Sequence, residues 1–229
     1  MANTYGEGLP NIDVQSLSGK LLVLEGADAS GRTTQSNAIK SWLEGLGYAV
    51  VDVGIKRSTL VSEELIEAQK GNNLSHTTMS LFYATDFADQ LENKIIPALR
   101  SGSVVLCDRY IYTLMPRDIV RGASLKWLEG IYRFALIPHL VLYLEVEPVY
   151  LVERYFEKNL RLGYWESGMD LGLANNLFDA FICYQQKIRE TFLELRKKYP
   201  FEILDGHQSI EHITEQIKTH IKPILGLDT

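Results

Sequence analysis

The chain has 229 residues, 46% of them apolar and 23% charged, a balance that excludes disorder and fits one domain with its own core. Its 29 acidic against 23 basic residues give a formal charge of −6, which repels long nucleic acids but leaves room for a small phosphate ligand in a local basic pocket. Cys107 and Cys183 have the spacing of neither a zinc site nor a disulfide framework and point to a reducing cytoplasm; the longest apolar run, Phe134 to Leu144, is broken by Pro138 and His139 and is too short to span a membrane.

Residues 1–19 are polar, carry three glycines and a proline, and show no sustained period, so they read as a flexible N-terminal extension. Residues 20–229 read as one domain. Its elements alternate: strand Leu21 to Leu24, helix Thr33 to Leu46, strand Ala49 to Val53, helix Ser62 to Lys70, and a long helix Thr77 to Arg100. Strand Val104 to Cys107, helix Leu125 to Leu136, strand Leu140 to Val146 and helix Val149 to Glu157 follow. A Gly-containing segment near 158–173 leads into a long helix reaching Lys198, strand Phe201 to Leu204 and a final helix. Short apolar strands separated by helices predict a three-layer α/β fold, a five-stranded parallel sheet covered on both faces, because parallel neighbours need crossover connections.

The densest chemical signal is the run Leu21 to Thr34, a buried strand followed by Gly26-Ala27-Asp28-Ala29-Ser30-Gly31-Arg32-Thr33-Thr34 at the opening of a helix. This is the P-loop pattern, with Arg32 where a lysine is usual. The two glycines allow successive N–H groups to converge on phosphate oxygens, and the helix N-terminus adds partial positive charge. Thr33 stands where a hydroxyl would ligate Mg²⁺. The plain alternative is a glycine-containing turn with Ser30 or Thr33 as a helix cap.

With Glu25 before it and Gln35 after it, this segment resembles the thymidylate kinase family, whose loop reads E-G-x-D-x-x-G-K-[ST]-T-Q. Further along, Ser80-Leu81-Phe82-Tyr83-Ala84 with Asp86, Ile95 to Leu99 with Gly102, Asp108-Arg109-Tyr110, and Pro138 to Val146 resemble further motifs of that family, in order. The resemblance implies the P-loop NTPase fold and an ATP- and Mg²⁺-dependent phosphotransferase acting on a small nucleotide, thymidylate in the family, with pairing into a homodimer. It also implies roles: residues 26–34 hold the ATP phosphates, Thr33 and Asp108 organise the metal, and Arg32, Asp28, Arg109 and Arg161 serve catalysis. Asp28, Phe82, Asp86, Arg109 and Tyr110 would meet the acceptor, Phe82 by stacking on its base, while the segment near 158–173 would form a lid. Arg154, on the helix before it, is a further candidate to steady the migrating phosphoryl.

Several positions depart from the family pattern. Arg32 replaces the loop lysine; the family's Arg-Glu-Pro element falls near Gly54, Ile55 and Lys56, where only Lys56 and Arg57 keep positive charge; and Thr113 to Asp118 replace the small and amide residues that line the family's nucleoside pocket. Asp170 is followed by Leu171 rather than by the family's Arg. Asp86 stands where the family carries an arginine that donates to the thymine carbonyl; a carboxylate would suit a base presenting N–H groups instead. These departures keep two alternatives open, an acceptor other than thymidylate and a nucleotide-binding protein with weak or no kinase activity.

Overall fold

The computed structural model describes residues 3–71, 74–157 and 162–227. Five strands, β1 (Lys20–Gly26), β2 (Val50–Gly54), β3 (Val104–Asp108), β4 (Leu140–Glu145) and β5 (Glu202–Asp205), form one sheet in the order β2-β3-β1-β4-β5, every pair parallel. The expected three-layer α/β fold is present.

Alternation along the strands sends side chains to opposite faces. Leu21 and Val23 join Val105, Cys107, Val141 and Tyr143 on one face. Leu22 and Leu24 join Leu106, Leu142 and Leu144 on the other, where Ile39 and Leu43 of α1 (Arg32–Gly45) and Ile213, Ile217 and Ile221 of α9 (Ile210–Leu225) cover them. The first face carries α2 (Ser62–Gly71), α3 (His76–Gln90), α5 (Ile111–Val120), α6 (Leu125–Ile131) and α8 (Leu177–Leu195), each of which buries side chains in the larger cluster. Helix α7 (Pro148–Glu157) packs on α8 through Leu151, Tyr155 and Phe181.

The long helix expected over 77–100 is interrupted. Between α3 and α4 (Ile96–Arg100) the residues Leu91–Ile95 form a π-helical turn. Pro97 has no N–H to give back to the preceding turn and its ring crowds the carbonyl four residues earlier, so a widened turn lets the chain continue. Helix α5 has no counterpart in the sequence reading, because Pro116 sits inside it; burial of Ile111, Tyr112, Leu114 and Met115 outweighs the lost hydrogen bond. The helix expected to reach Leu136 ends at Ile131.

The N-terminal residues are seated on the body rather than hanging free of it. Thr4 forms a β-bridge with Leu136, Tyr5 N–H donates to Ala135 O at 3.1 Å, and the Tyr5 ring meets Tyr112 and Tyr199 edge-on. An aromatic side chain and Leu17, which is buried, anchor a segment whose composition suggests only a loose tail. No helix among the described residues is long and apolar enough to cross a membrane.

Candidate active site

In the register β1 shares with its neighbours, Leu24 lies opposite Asp108 and Gly26 opposite Leu144, so the phosphate loop and the end of β3 emerge side by side at the carboxyl edge of the sheet. That edge is where parallel α/β sheets bind ligands, because loops there can splay apart while the strands hold them rigidly. The turn after β1 requires glycine at its first position: a Cβ on Gly26, whose φ is +150°, would stand 2.7 Å from Ser30 Oγ and 2.9 Å from Leu144 O. Gly31, with φ +101°, caps α1 and sends the chain into the helix.

Within this loop the Arg32 guanidinium folds back. Nε donates to Asp108 Oδ1 at 2.8 Å, and Nη1 donates to the carbonyls of Gly26 and Ala27. The expectation that Arg32 reaches outward to a terminal phosphate does not describe this arrangement; the planar fork is long enough to satisfy its own loop instead. Thr33 Oγ1 lies 3.2 Å from Asp108 Oδ2, bringing together the hydroxyl and carboxylate expected around a divalent ion. Ser30 Oγ is buried without a hydrogen-bond partner among the described residues, a polar atom of the kind a phosphate cradle supplies. Ala27, Asp28, Ala29 and Thr34 complete the loop, Thr34 on its exposed side. Arg154 of α7 closes over it, donating to Ser30 O at 3.1 Å and Gly206 O at 2.7 Å. Arg161 lies outside the described residues.

Burial pushes the pKa of Asp108 up, but the guanidiniums of Arg32, Arg109 and Arg57 more than reverse this and hold it below the ordinary carboxylate value. Among the described residues no group of three or more His, Cys, Asp or Glu side chains could hold a metal. A Mg²⁺ ion at Thr33 and Asp108 would take its remaining ligands from phosphate and water oxygens, the arrangement this ion favours.

Beside the loop lies a cavity of about 260 Å³. Its inner end is cationic. Arg109, in the left-handed region at φ +74°, and Arg117 of α5 both donate to Asp28, the second at 3.2 Å. Lys56 joins them from the loop after β2, held by Gln69 Oε1 at 2.9 Å. Burial would raise Asp28, yet Arg109, Arg117 and Arg32 keep it well below the usual carboxylate range; Lys56 is lowered by burial and by the repulsion of Arg117 and Arg109. Buried Arg109 Nε has no partner among the described residues.

The far end is aromatic and apolar, lined by Met79, Tyr83, Leu114, Trp165 and Tyr184, with the Asp118 carboxylate among them accepting from the Ser80 hydroxyl. Arg121 closes this wall with every N–H engaged. Nε and Nη2 donate to Asp170 at 2.8 and 3.0 Å, Nη2 also to Trp165 O, and Nη1 to Tyr184 Oη and Arg117 O. Its cationic face also meets the Trp165 and Tyr184 rings. The described part of the expected lid, residues 162–173, is thereby fastened to the body.

Three expected acceptor contacts fall elsewhere. Phe82 is half-buried against the larger core cluster, while Met79 and Tyr83 on the same helix reach the cavity. The two carboxylate oxygens of Asp86 accept from Ser58 N and Lys56 N, each at 2.9 Å, so this group shapes the loop after β2. Tyr110 is buried, its hydroxyl donating to Leu136 O at 2.9 Å. Leu114, Arg117 and Asp118, which the family pattern puts at altered pocket positions, do reach the cavity, and Arg121, which the sequence reading missed, follows them at helical spacing, a signal visible once a helix is drawn through Pro116.

The sequence profile named "Thymidylate kinase" matches residues 24–217. Among curated relatives, "Probable thymidylate kinase 2" of Saccharolobus solfataricus is 34% identical over 211 residues, covering 92% of this chain and 97% of its own length. "Probable thymidylate kinase" of Pyrococcus horikoshii is 32% identical, covering 92% of this chain and all of its own, and "Thymidylate kinase" of Clostridium novyi is 27% identical, covering 89% and 98%. With a phosphate loop and a cation-lined cavity side by side at one sheet edge, and a profile match running through most of its length, this chain belongs to the thymidylate kinase family.

Proposed function

We propose that the chain is an ATP- and Mg²⁺-dependent nucleoside monophosphate kinase whose acceptor is thymidylate, the substrate its relatives' names indicate. The observation that carries this reading is the meeting of two anion sites at Asp28: the phosphate loop on one side and the cluster of Arg109, Arg117 and Lys56 on the other. Three cations partly neutralised by Asp28 suit a dianionic phosphate monoester, and the aromatic far end suits its base. Asp118 offers an acceptor for a base N–H.

In this reading residues 26–34 hold the ATP phosphates, and Thr33 and Asp108 hold the ion, which when bound neutralises charge on the phosphates. Arg109 and Arg117 clamp the acceptor phosphate, Asp28 keeps both guanidiniums aimed, and Arg154 brings positive charge over the loop, while Arg161 keeps the catalytic role that the family resemblance implies. The geometry places charges and asks for no covalent chemistry from the protein. With Asp86 turned away from the cavity, its substitution for an arginine is no longer a reason to exclude thymine. The exposed Leu81 on α3 is consistent with pairing of two copies through this helix, and the two free cysteines with a cytoplasmic setting.

A coupled assay of ATP consumption across thymidylate and the other common nucleoside monophosphates tests the proposal. Turnover with thymidylate is expected. Turnover with a different monophosphate alone would overturn the acceptor, and ATP binding without turnover of any would make the chain a nucleotide-binding protein of this family.

A further inference from the structure

Glu25 is the residue immediately before the phosphate loop. Its side chain is fully buried, and its hydrogen bonds run across the sheet to the turn that follows β3. Oε1 accepts from Tyr110 N–H at 2.8 Å, and Oε2 accepts from the Thr113 hydroxyl. Both partners belong to the start of α5, whose N-cap residue, Tyr110, makes no side-chain cap of its own. The carboxyl group therefore takes, from a neighbouring strand, the N–H of the N-cap residue, the contact that a Glu or Gln three residues into the helix makes in a capping box.

The same contacts bracket Arg109. Its backbone is left-handed without being glycine, and its N–H donates to Leu24 O at 3.0 Å while the next N–H is taken by Glu25. A conformation of this kind persists only where neighbours over-determine it. One strand thus carries both the phosphate loop and the strut that holds the opposite wall, the wall bearing Arg109, Leu114, Arg117 and Asp118.

We propose that Glu25 is a positioning residue for phosphoryl transfer, fixing Arg109 and the cavity-facing side of α5 at a set distance from the phosphate loop. The inference rests on the kinase reading above. Glu25→Gln keeps the volume but removes the ionisable oxygen and replaces it with an amide donor, so the Thr113 contact must reverse its direction; Glu25→Asp keeps the carboxyl group but is one methylene short.

Steady-state kinetics, circular dichroism and calorimetry with ATP and with a bisubstrate analogue, adenosine joined to thymidine through five phosphates, test it. In both variants the fold and the KM for ATP are expected to hold within about twofold, while kcat falls about 10- to 100-fold, the penalty of an ångström-scale misplacement. Affinity for the bisubstrate analogue should fall by about tenfold, since only that ligand senses the spacing of the two sites. Thr113→Val, which removes one of the two contacts, should fall between, and it carries the test if the Gln variant does not fold. A merely structural role would lower thermal stability and leave kcat per folded molecule and bisubstrate affinity unchanged; that result overturns the proposal. A wild type that turns over no monophosphate sinks the kinase reading and the strut with it, whereas an active wild type matched by an equally active Gln variant sinks the strut alone.

Discussion

Glu25 also makes a prediction about stability that runs against the usual behaviour of carboxylates. Burial drives its pKa from 4.5 up to about 7, against the pull of the Thr113 hydroxyl, the Tyr110 N–H and the guanidiniums of Arg32 and Arg109. Below the unfolded value both states carry the proton and the group contributes no difference. Between 4.5 and about 7 the unfolded chain has released its proton while the folded chain retains it, so the folded state binds more protons and stability falls as pH rises. A gap of roughly 2.5 units at about 1.36 kcal/mol each amounts to about 3 kcal/mol, lost in full above the folded pKa. Glu25→Gln cannot titrate. Urea unfolding of both proteins from pH 4 to pH 8.5 should show the Gln variant gaining about 3 kcal/mol on the wild type across that window. Carboxylates with lowered pKa values, Asp28 and Asp108 among them, act oppositely but are common to both proteins and cancel in the difference. A difference that stays flat with pH, or that moves in favour of the wild type as pH rises, would refute the account of how Glu25 is buried.

Arg117→Ala removes one of the two guanidiniums from Asp28 and from the inner end of the cavity; the KM for the acceptor should rise about tenfold, the worth of one charge-assisted hydrogen bond, with the KM for ATP unmoved in the same titration. Arg32→Lys should leave the Gly26 and Ala27 carbonyls short of a donor, lowering stability by about 1–3 kcal/mol in thermal unfolding while changing kcat, because a compact ammonium replaces a fork that now faces inward. An unchanged melting temperature would mean the folded-back guanidinium contributes nothing. Arg121→Ala leaves the buried Asp170 carboxylate with His76, at 3.3 Å, in place of a guanidinium fork and frees Trp165 from its cationic neighbour; about 3 kcal/mol of stability should be lost, and Trp165 emission should shift toward that of a hydrated indole.

The phosphate loop was legible in the sequence because everything that shapes it lies within a few residues: two glycines at fixed spacing, a buried strand before and a helix after. The alternation of strands and helices was legible for a similar reason, since periodicity is a local property of the chain, and Asp108 and Arg109 could be placed at the site because the carboxyl end of a buried parallel strand is where such sites gather. Which side of a helix faces a ligand is decided at longer range. One residue along α3 is a rotation of about 100°, and that rotation separates Phe82 in the core from Tyr83 at the cavity. The direction of Asp86 depends on where the loop after β2 brings the N–H groups of residues 56 and 58. Helix α5 was hidden by Pro116, because propensity counts the missing hydrogen bond and cannot count the burial of Tyr112 and Leu114. The motif Glu25-Gly26 announced itself from the sequence, but what Glu25 holds, a backbone N–H and a hydroxyl 85 and 88 residues away, exists only after parallel pairing has set β1 beside β3.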